Sequence, residues 1–396
     1  MDGIERDEAC SDVACPKANA TMYLEPRRQR RPGSIWPWLL SAVVAFGASW
    51  YLYSQQTTII EAVRGPLPTP TPTEIGAVEY VAVGDGLFEQ GKYDQAIAAY
   101  ARATQLDPSL AVAYARWGRI LALRHKGEEA VRIARRAIEI DAESAENQAI
   151  LGMVFDWNGQ VGEAIGACLK ATKIAPDYAL GHAYLAEAYG DYGRVADAYE
   201  TAKKAVALDG NNPFARRNLG YVYELMGRYE DAIYEYETAI SISPNLAFVY
   251  HDLGRNYRVL GNIEEAAYHF ERATQVDPGD PQGYDQLGWT YFAEDLYEMA
   301  TVELEKAIQI DPNYAAAYGH LGVTYYVRRN YEQAIPHLER AIELGARSEE
   351  HYYELGFSYA YLGQCDEAVP WFAEALVLNP HSTVAKQGLV YCQGQD

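Results

Sequence analysis

Between residues 77 and 382, apolar residues fall into two alternating helical stripes. In Pro213–Leu246, residues Leu219, Gly220 and Tyr223 stand at i, i+1 and i+4, and Ala232, Tyr236 and Ala239 at i, i+4 and i+7. Each spacing keeps its members on one face of an α-helix, so the stretch predicts two amphipathic helices. The break between them, Met226-Gly227-Arg228, carries a helix-stopping glycine. Asn212 and Pro213 fit a cap and a first helical residue, and Pro244 closes the second helix.

Shifted by 34 residues, the same frame fits Leu253, Gly254, Tyr257, Gly261, Ala266, Phe270, Ala273 and Pro278, and once more Leu287, Gly288, Tyr291, Tyr297, Ala300, Ala307 and Pro312. Units begin at Ala77, Ala111, Ala145, Ala179, Pro213, Ala247, Pro281, Ala315 and Glu349, nine without insertion. Where paired helices must approach closely stand Gly84, Gly118, Gly152, Ala186, Gly220, Gly254, Gly288, Gly322 and Gly356. An alanine opens the buried stripe of every second helix: Ala96, Ala130, Ala164, Ala198, Ala232, Ala266, Ala300, Ala334 and Ala368. This pattern resembles the tetratricopeptide repeat (TPR), a pair of antiparallel helices per unit. The resemblance implies an all-α, right-handed superhelical solenoid of nine repeats over residues 77–382. Ala142, Gly210 and Ala346 replace the expected proline, and Asp295 and Arg329 the expected turn glycine.

Outside the repeats, residues 1–34 are polar and aperiodic and read as a disordered tail. Residues 35–53 are uncharged; at about 1.5 Å per residue they reach roughly 28 Å, the thickness of a bilayer's hydrocarbon core. Trp36 and Trp38 at one end, and Trp50, Tyr51 and Tyr53 at the other, suit the two interfaces. The expectation is one transmembrane helix, with Arg27, Arg28, Arg30 and Arg31 holding the N-terminus in the cytoplasm and the repeats outside. A cleaved signal peptide competes, because Ala45-Phe46-Gly47 resembles a cleavage site, but that site falls inside the apolar run. Residues 54–76 form a linker whose GPLPTPTPTE run predicts polyproline II and a semi-rigid spacer. Residues 383–396 hold a single helix expected to cap the last repeat, leaving no room for a catalytic domain.

Composition narrows the function. The charge of −22 falls entirely after Tyr53, since six acids and six bases balance before it. An acidic solenoid is expected to bind neither nucleic acid nor an anionic bilayer along its length. Five cysteines show no metal spacing, and Cys10 and Cys15 read as surface thiols. No P-loop, GxSxG or HExxH motif is present, and the eight histidines are scattered. Neither a catalytic residue nor a cofactor or metal site is expected.

Function is therefore expected in a surface. The TPR resemblance implies that residues 2, 5, 6, 9, 12 and 13 of each first helix face a concave groove. In the later repeats these positions give aromatic residues, among them Tyr221, Trp289, Phe292, Tyr326 and Phe357, with Arg217, His251, Arg255 and Arg258 between them. The sixth position gives a polar ladder of Asn218, Asp252, Gln286, His320 and Glu354. It resembles the asparagine ladder of TPR proteins that hold extended peptides, although only Asn218 keeps the asparagine. His251 and Arg255 match part of a chaperone-type carboxylate clamp, where Tyr221 replaces a needed asparagine. The reading is a membrane-tethered bacterial scaffold that binds partner proteins or extended peptides, for assembly or maintenance of an envelope complex. Glycan binding through the aromatics is the alternative, and reversed topology would make the chain a cytoplasmic adaptor.

Overall fold

The computed structural model describes residues 36–55 and 75–394. The expected tail, most of the proline-rich linker, and Cys10 and Cys15 lie outside these residues. The chain divides into two units, residues 1–73 and 74–396. In the first unit, helix α1 (Trp36–Ser54) coincides with the expected span to within one residue. Its described side chains are all exposed. Yet no helix among the described residues is long and apolar enough to cross a membrane. The terminal Trp and Tyr residues, Pro37 and the serines dilute the apolar centre of α1, so the transmembrane expectation is not supported.

The second unit is helical throughout its described residues. Repeat 1 comprises α2 (Ala77–Glu89) and α3 (Tyr93–Leu106), repeat 2 α4 (Ala111–Leu123) and α5 (Gly127–Ile140), and repeat 3 α6 (Ala145–Trp157) and α7 (Val161–Ile174). Repeat 4 comprises α8 (Ala179–Asp191) and α9 (Val195–Leu208), repeat 5 α10 (Pro213–Leu225) and α11 (Tyr229–Ile242), and repeat 6 α12 (Ala247–Val259) and α13 (Ile263–Val276). Repeats 7, 8 and 9 follow as α14 (Pro281–Ala293) with α15 (Tyr297–Ile310), α16 (Ala315–Val327) with α17 (Tyr331–Glu343), and α18 (Glu349–Tyr361) with α19 (Cys365–Leu378). Every predicted starting residue is the first residue of a helix. Helix α20 (Thr383–Gln393) packs on α18 and α19 as the expected cap.

The alanine of the second helix is fully buried in all nine repeats. A side chain larger than methyl there would hold the paired helices apart. The small residue of the first helix has the complementary reason. A Cβ on Gly220 would sit 2.8 Å from the Tyr236 ring, so glycine lets that ring lie against the backbone. Asn212 caps α10 as expected, its Oδ1 accepting from the Phe214 and Ala215 amides at 3.0 and 3.1 Å. The turns lacking glycine keep their geometry: Asp295 and Arg329 take positive φ, and so does His125.

Two features lay beyond the sequence reading. Cys365 and Cys392 form a disulfide, with Cα atoms 5.4 Å apart, that fastens α20 to α19. The solenoid also meets itself. Tyr93 donates to the Asn245 carbonyl at 2.9 Å, and the Asn245 side-chain amide donates to the Glu89 carbonyl at 2.8 Å. Arg124 reaches the Gly279 carbonyl at 2.9 Å and the Asp277 carboxylate at 2.8 Å, and His125 contacts Gln282 at 2.9 Å. Repeats 1 and 2 thus dock on the loops that follow α11 and α13 and on the start of α14. First helices pack closely along repeats 2–5 and more sparsely beyond.

Candidate functional site

The inner wall of the solenoid has two parts with different chemistry. In repeats 3–6 it is filled. Arg217, on α10, lies between Glu187 of α8 and Asp252 of α12, its Nε 2.7 Å from Asp252 Oδ2 and its Nη1 on Glu187. Arg255 contacts the other Asp252 oxygen at 2.7 Å. Asn218 donates to the Ala183 carbonyl at 2.8 Å and to Glu187 at 3.2 Å, and the Trp157 indole donates to Glu187 at 3.0 Å. Arg217, Asn218, His251 and Asp252 are all buried. Trp157 and Phe248 meet edge to face at 5.8 Å, with the Arg217 guanidinium against both rings.

Burial sets the electrostatics of this plug. It works to raise the pKa of Asp252, but the Arg217 and Arg255 guanidiniums outweigh it and hold the carboxyl below its ordinary value. At Glu187 burial prevails and the pKa rises despite Arg217. Asp156 has both carboxyl oxygens buried without a hydrogen-bond partner among the described residues. Burial, then the Glu187 and Asp191 charges, push its pKa well above the ordinary carboxylate value.

Repeats 7–9 are different. Trp289 stacks parallel on Phe292 at 4.5 Å and on His320 of the next repeat at 4.2 Å. His320 Nδ1 donates at 2.7 Å to Asp285, whose burial is complete. A second run of rings follows, Tyr326 to Tyr331 at 6.0 Å, Tyr331 to Tyr361 at 5.0 Å, and Phe357 to Tyr361 at 5.5 Å. Gln286, Trp289, Phe292, His320 and Tyr326 are half-buried, each keeping an open edge. Among the described residues, no hydrogen bond or ion pair joins repeats 8 and 9 to anything beyond adjacent repeats and the cap. Glu354 is buried, its Oε2 has no partner, and burial, then Glu350, push its pKa up to about 8.

The expected groove residues therefore separate. Arg217, Asn218, His251 and Asp252 are sealed inside. Tyr221, bonded to Asp191, Arg255, and Arg258, which donates to Gln286 at 3.0 Å, are half-buried beside them. Gln286, Trp289, Phe292, His320, Tyr326, Glu354 and Phe357 line the aromatic part, Glu354 and Phe357 from beneath. Much of the polar ladder's bonding capacity is spent on neighbouring repeats rather than left for a peptide backbone. Asp252, for example, accepts from Arg217 of the preceding repeat at 2.7 Å. Phe88, Arg119, Trp157 and Glu187 were missed on the early repeats, although they occupy the same helix positions used to choose the later ones.

Sequence and structure comparisons agree on the family. One tetratricopeptide repeat profile matches residues 214–279 and 313–378, a second matches residues 281–314, and a TPR repeat profile matches residues 84–123. The chain belongs to the tetratricopeptide repeat family. No curated protein sequence matches it. Among solved structures, a chain of the APC/C hetero-tetramer Cut9–Hcn1 is similar with a TM-score of 0.57 at 16% identity, over 80% of this chain and 76% of that one. The human IFIT1 dimer with m7Gppp-AAAA gives 0.50 at 18%, over 87% and 80%. YrrB, described as a TPR protein with an unusual peptide-binding site, gives 0.38 at 23%, over 47% and 96%.

Proposed function

We propose that this protein is a non-enzymatic scaffold that grips a partner protein along repeats 7–9. TPR repeats are protein-interaction modules, and the observation that carries this placement is the half-open Trp289–Phe292–His320 stack. Aromatic side chains offer large rigid contact area and dominate binding hot spots. Trp289 is already stacked on two neighbours, which favours an edge-on protein contact over a sugar lying on its face. The excess negative charge disfavours nucleic acid as the partner.

The scaffold works outside the cytoplasm, tethered through α1, in assembly or maintenance of an envelope complex. The Cys365–Cys392 disulfide supports this location, because disulfides persist in oxidising compartments. The Trp and Tyr residues that lower the hydropathy of α1 are the ones a bilayer interface accepts. Protease added to intact spheroplasts should remove the repeats, and protection until lysis would refute the topology.

A photo-crosslinking amino acid at position 289 tests the groove in the living cell. Adducts to a defined partner are expected there and not from position 234, where an exposed tyrosine lies on α11. Adducts from 234 with none from 289 would overturn the assignment.

A further inference from the structure

A cavity of about 700 Å³ lies where the first repeats face repeat 5 across the coil. That is within the roughly 300–1,000 Å³ usual for small-molecule sites. α2, α4 and α6 form one wall, and Pro213, Phe214 and the Ile242–Pro244 segment form the opposite one. Its charged groups are unevenly satisfied. Arg116 is held by two carboxylates, Asp85 and, at 2.8 Å, Glu146. Arg119 makes no ion pair among the described residues; its guanidinium lies 4.6 Å from the Phe88 ring centroid and 5.4 Å from that of Phe214. Its Nε makes no hydrogen bond to a described residue, and the buried Tyr184 hydroxyl behind Phe214 lies within reach of the guanidinium.

A guanidinium held against aromatic faces keeps its donors in the plane between them, where a planar carboxylate can accept two. The rest of the lining limits the ligand's charge. Asp85, Glu89 and Glu146 set three carboxylates against two guanidiniums, and Glu89 makes no ion pair among the described residues. A polyanion would meet net repulsion, whereas a carboxylate carried beside an ammonium would complement both unsatisfied groups. The phenylalanines and prolines leave an apolar wall for a side chain.

We infer that this cavity binds a small zwitterion, a free amino acid or a short peptide, with its carboxylate on Arg119 and its ammonium toward Glu89. The site is separate from the aromatic stack of repeats 7–9 and stands or falls independently of it.

Titration calorimetry on the full chain tests this with glycine, L-leucine, L-phenylalanine, L-arginine and the dipeptide Ala-Phe, and with N-acetyl-L-phenylalanine and inorganic phosphate as controls. At least one zwitterion should bind with a Kd of about 1 mM or tighter. The two controls should be about tenfold weaker or worse. The amino-acid and dipeptide arms distinguish the two sources of this chemistry. Arg119→Met should weaken the best ligand about tenfold or more, with helicity intact by circular dichroism. If that variant does not fold, Glu89→Gln at an exposed position serves instead, and should weaken the ligands that carry an ammonium. The inference fails if no zwitterion binds, if a control binds as well, or if the folded variant keeps full affinity.

Discussion

Arg124 of repeat 2 places its Nε 2.8 Å from the carboxylate of Asp277, which lies in the loop after repeat 6, and both side chains are almost fully buried. The pair joins two edges of one coil. Removing one member of a buried pair typically costs about 3–5 kcal/mol, because the other charge is left without compensation.

Arg124→Met should therefore free the edges where repeats 1 and 2 dock. Hydrogen exchange should speed up at residues 89–93 and 277–282 and stay unchanged in repeats 8 and 9. The effect should depend on pH. Burial raises the pKa of Asp277 to about 6 against Arg124's opposition. The neutral acid thus favours folding below the unfolded value near 3.9, and that contribution is lost as pH rises through about 6. Without Arg124 the charged form loses its partner, so the variant's deficit should widen from pH 5 to pH 8 in denaturant melts. An equal deficit at both pH values would exclude the pair as the clasp.

The repeat frame was legible, down to the starting residue of every repeat, because fixed small residues and periodic stripes are local signals. The closure of the coil was not. It arises from rotations accumulated over several repeats. The fifth inner position reads Ala115, Ala149 and Ala183 through repeats 2–4, each fully buried. These alanines offer a ligand little contact area. Their smallness lets the first helices approach closely and tightens the curve until repeats 1 and 2 meet repeats 5 and 6. Beyond repeat 5 the same position turns polar, as at His251 and Asp285, and the first helices pack more sparsely. The disulfide was hidden for a related reason: 27 residues separate its cysteines, and only the docking of α20 brings them together.

Ala232 is fully buried against α10, and its carbonyl lies 3.1 Å from where a Gly220 Cβ would stand. Ala232→Leu should overpack repeat 5 at a cost of about 1–3 kcal/mol. Each repeat leans mainly on its neighbours, so exchange should rise in repeats 4–6 together with the cross-turn contacts of Asn245. Uniform loosening of all nine repeats would argue against nearest-neighbour stacking.

The Cys365–Cys392 bond closes a short loop, and such crosslinks typically contribute about 2–4 kcal/mol. Reduction should first release α20 and expose the buried faces of Ala385 and Cys392. Faster exchange across residues 383–393, with α2 unaffected, is the expected result. Protein isolated without reductant should resist alkylation at both cysteines, and full labelling of both would show that the bond is not formed in the cell.

Trp289 is the central contact of the proposed groove because its ring is fixed from two sides, by Phe292 at 4.5 Å and by His320 at 4.2 Å. His320 is itself held by Asp285, so the stack is pre-organised and loses little freedom on binding. Tyr326 continues the surface into repeat 8, where it packs with Trp289 and Phe292 beside the buried Val323 and Leu338. Truncating such an aromatic typically costs on the order of 2 kcal/mol or more, roughly thirtyfold in affinity. Trp289→Ala combined with Tyr326→Ala should therefore abolish the in-cell crosslink made from a photo-reactive residue at the neighbouring position 292. Circular dichroism must show unchanged helicity, since both side chains also contribute to packing between repeats. Retention of the crosslink in the folded double variant would move the partner off this surface. Loss of that crosslink on Tyr234→Ala, at the exposed face of α11, would locate the partner there.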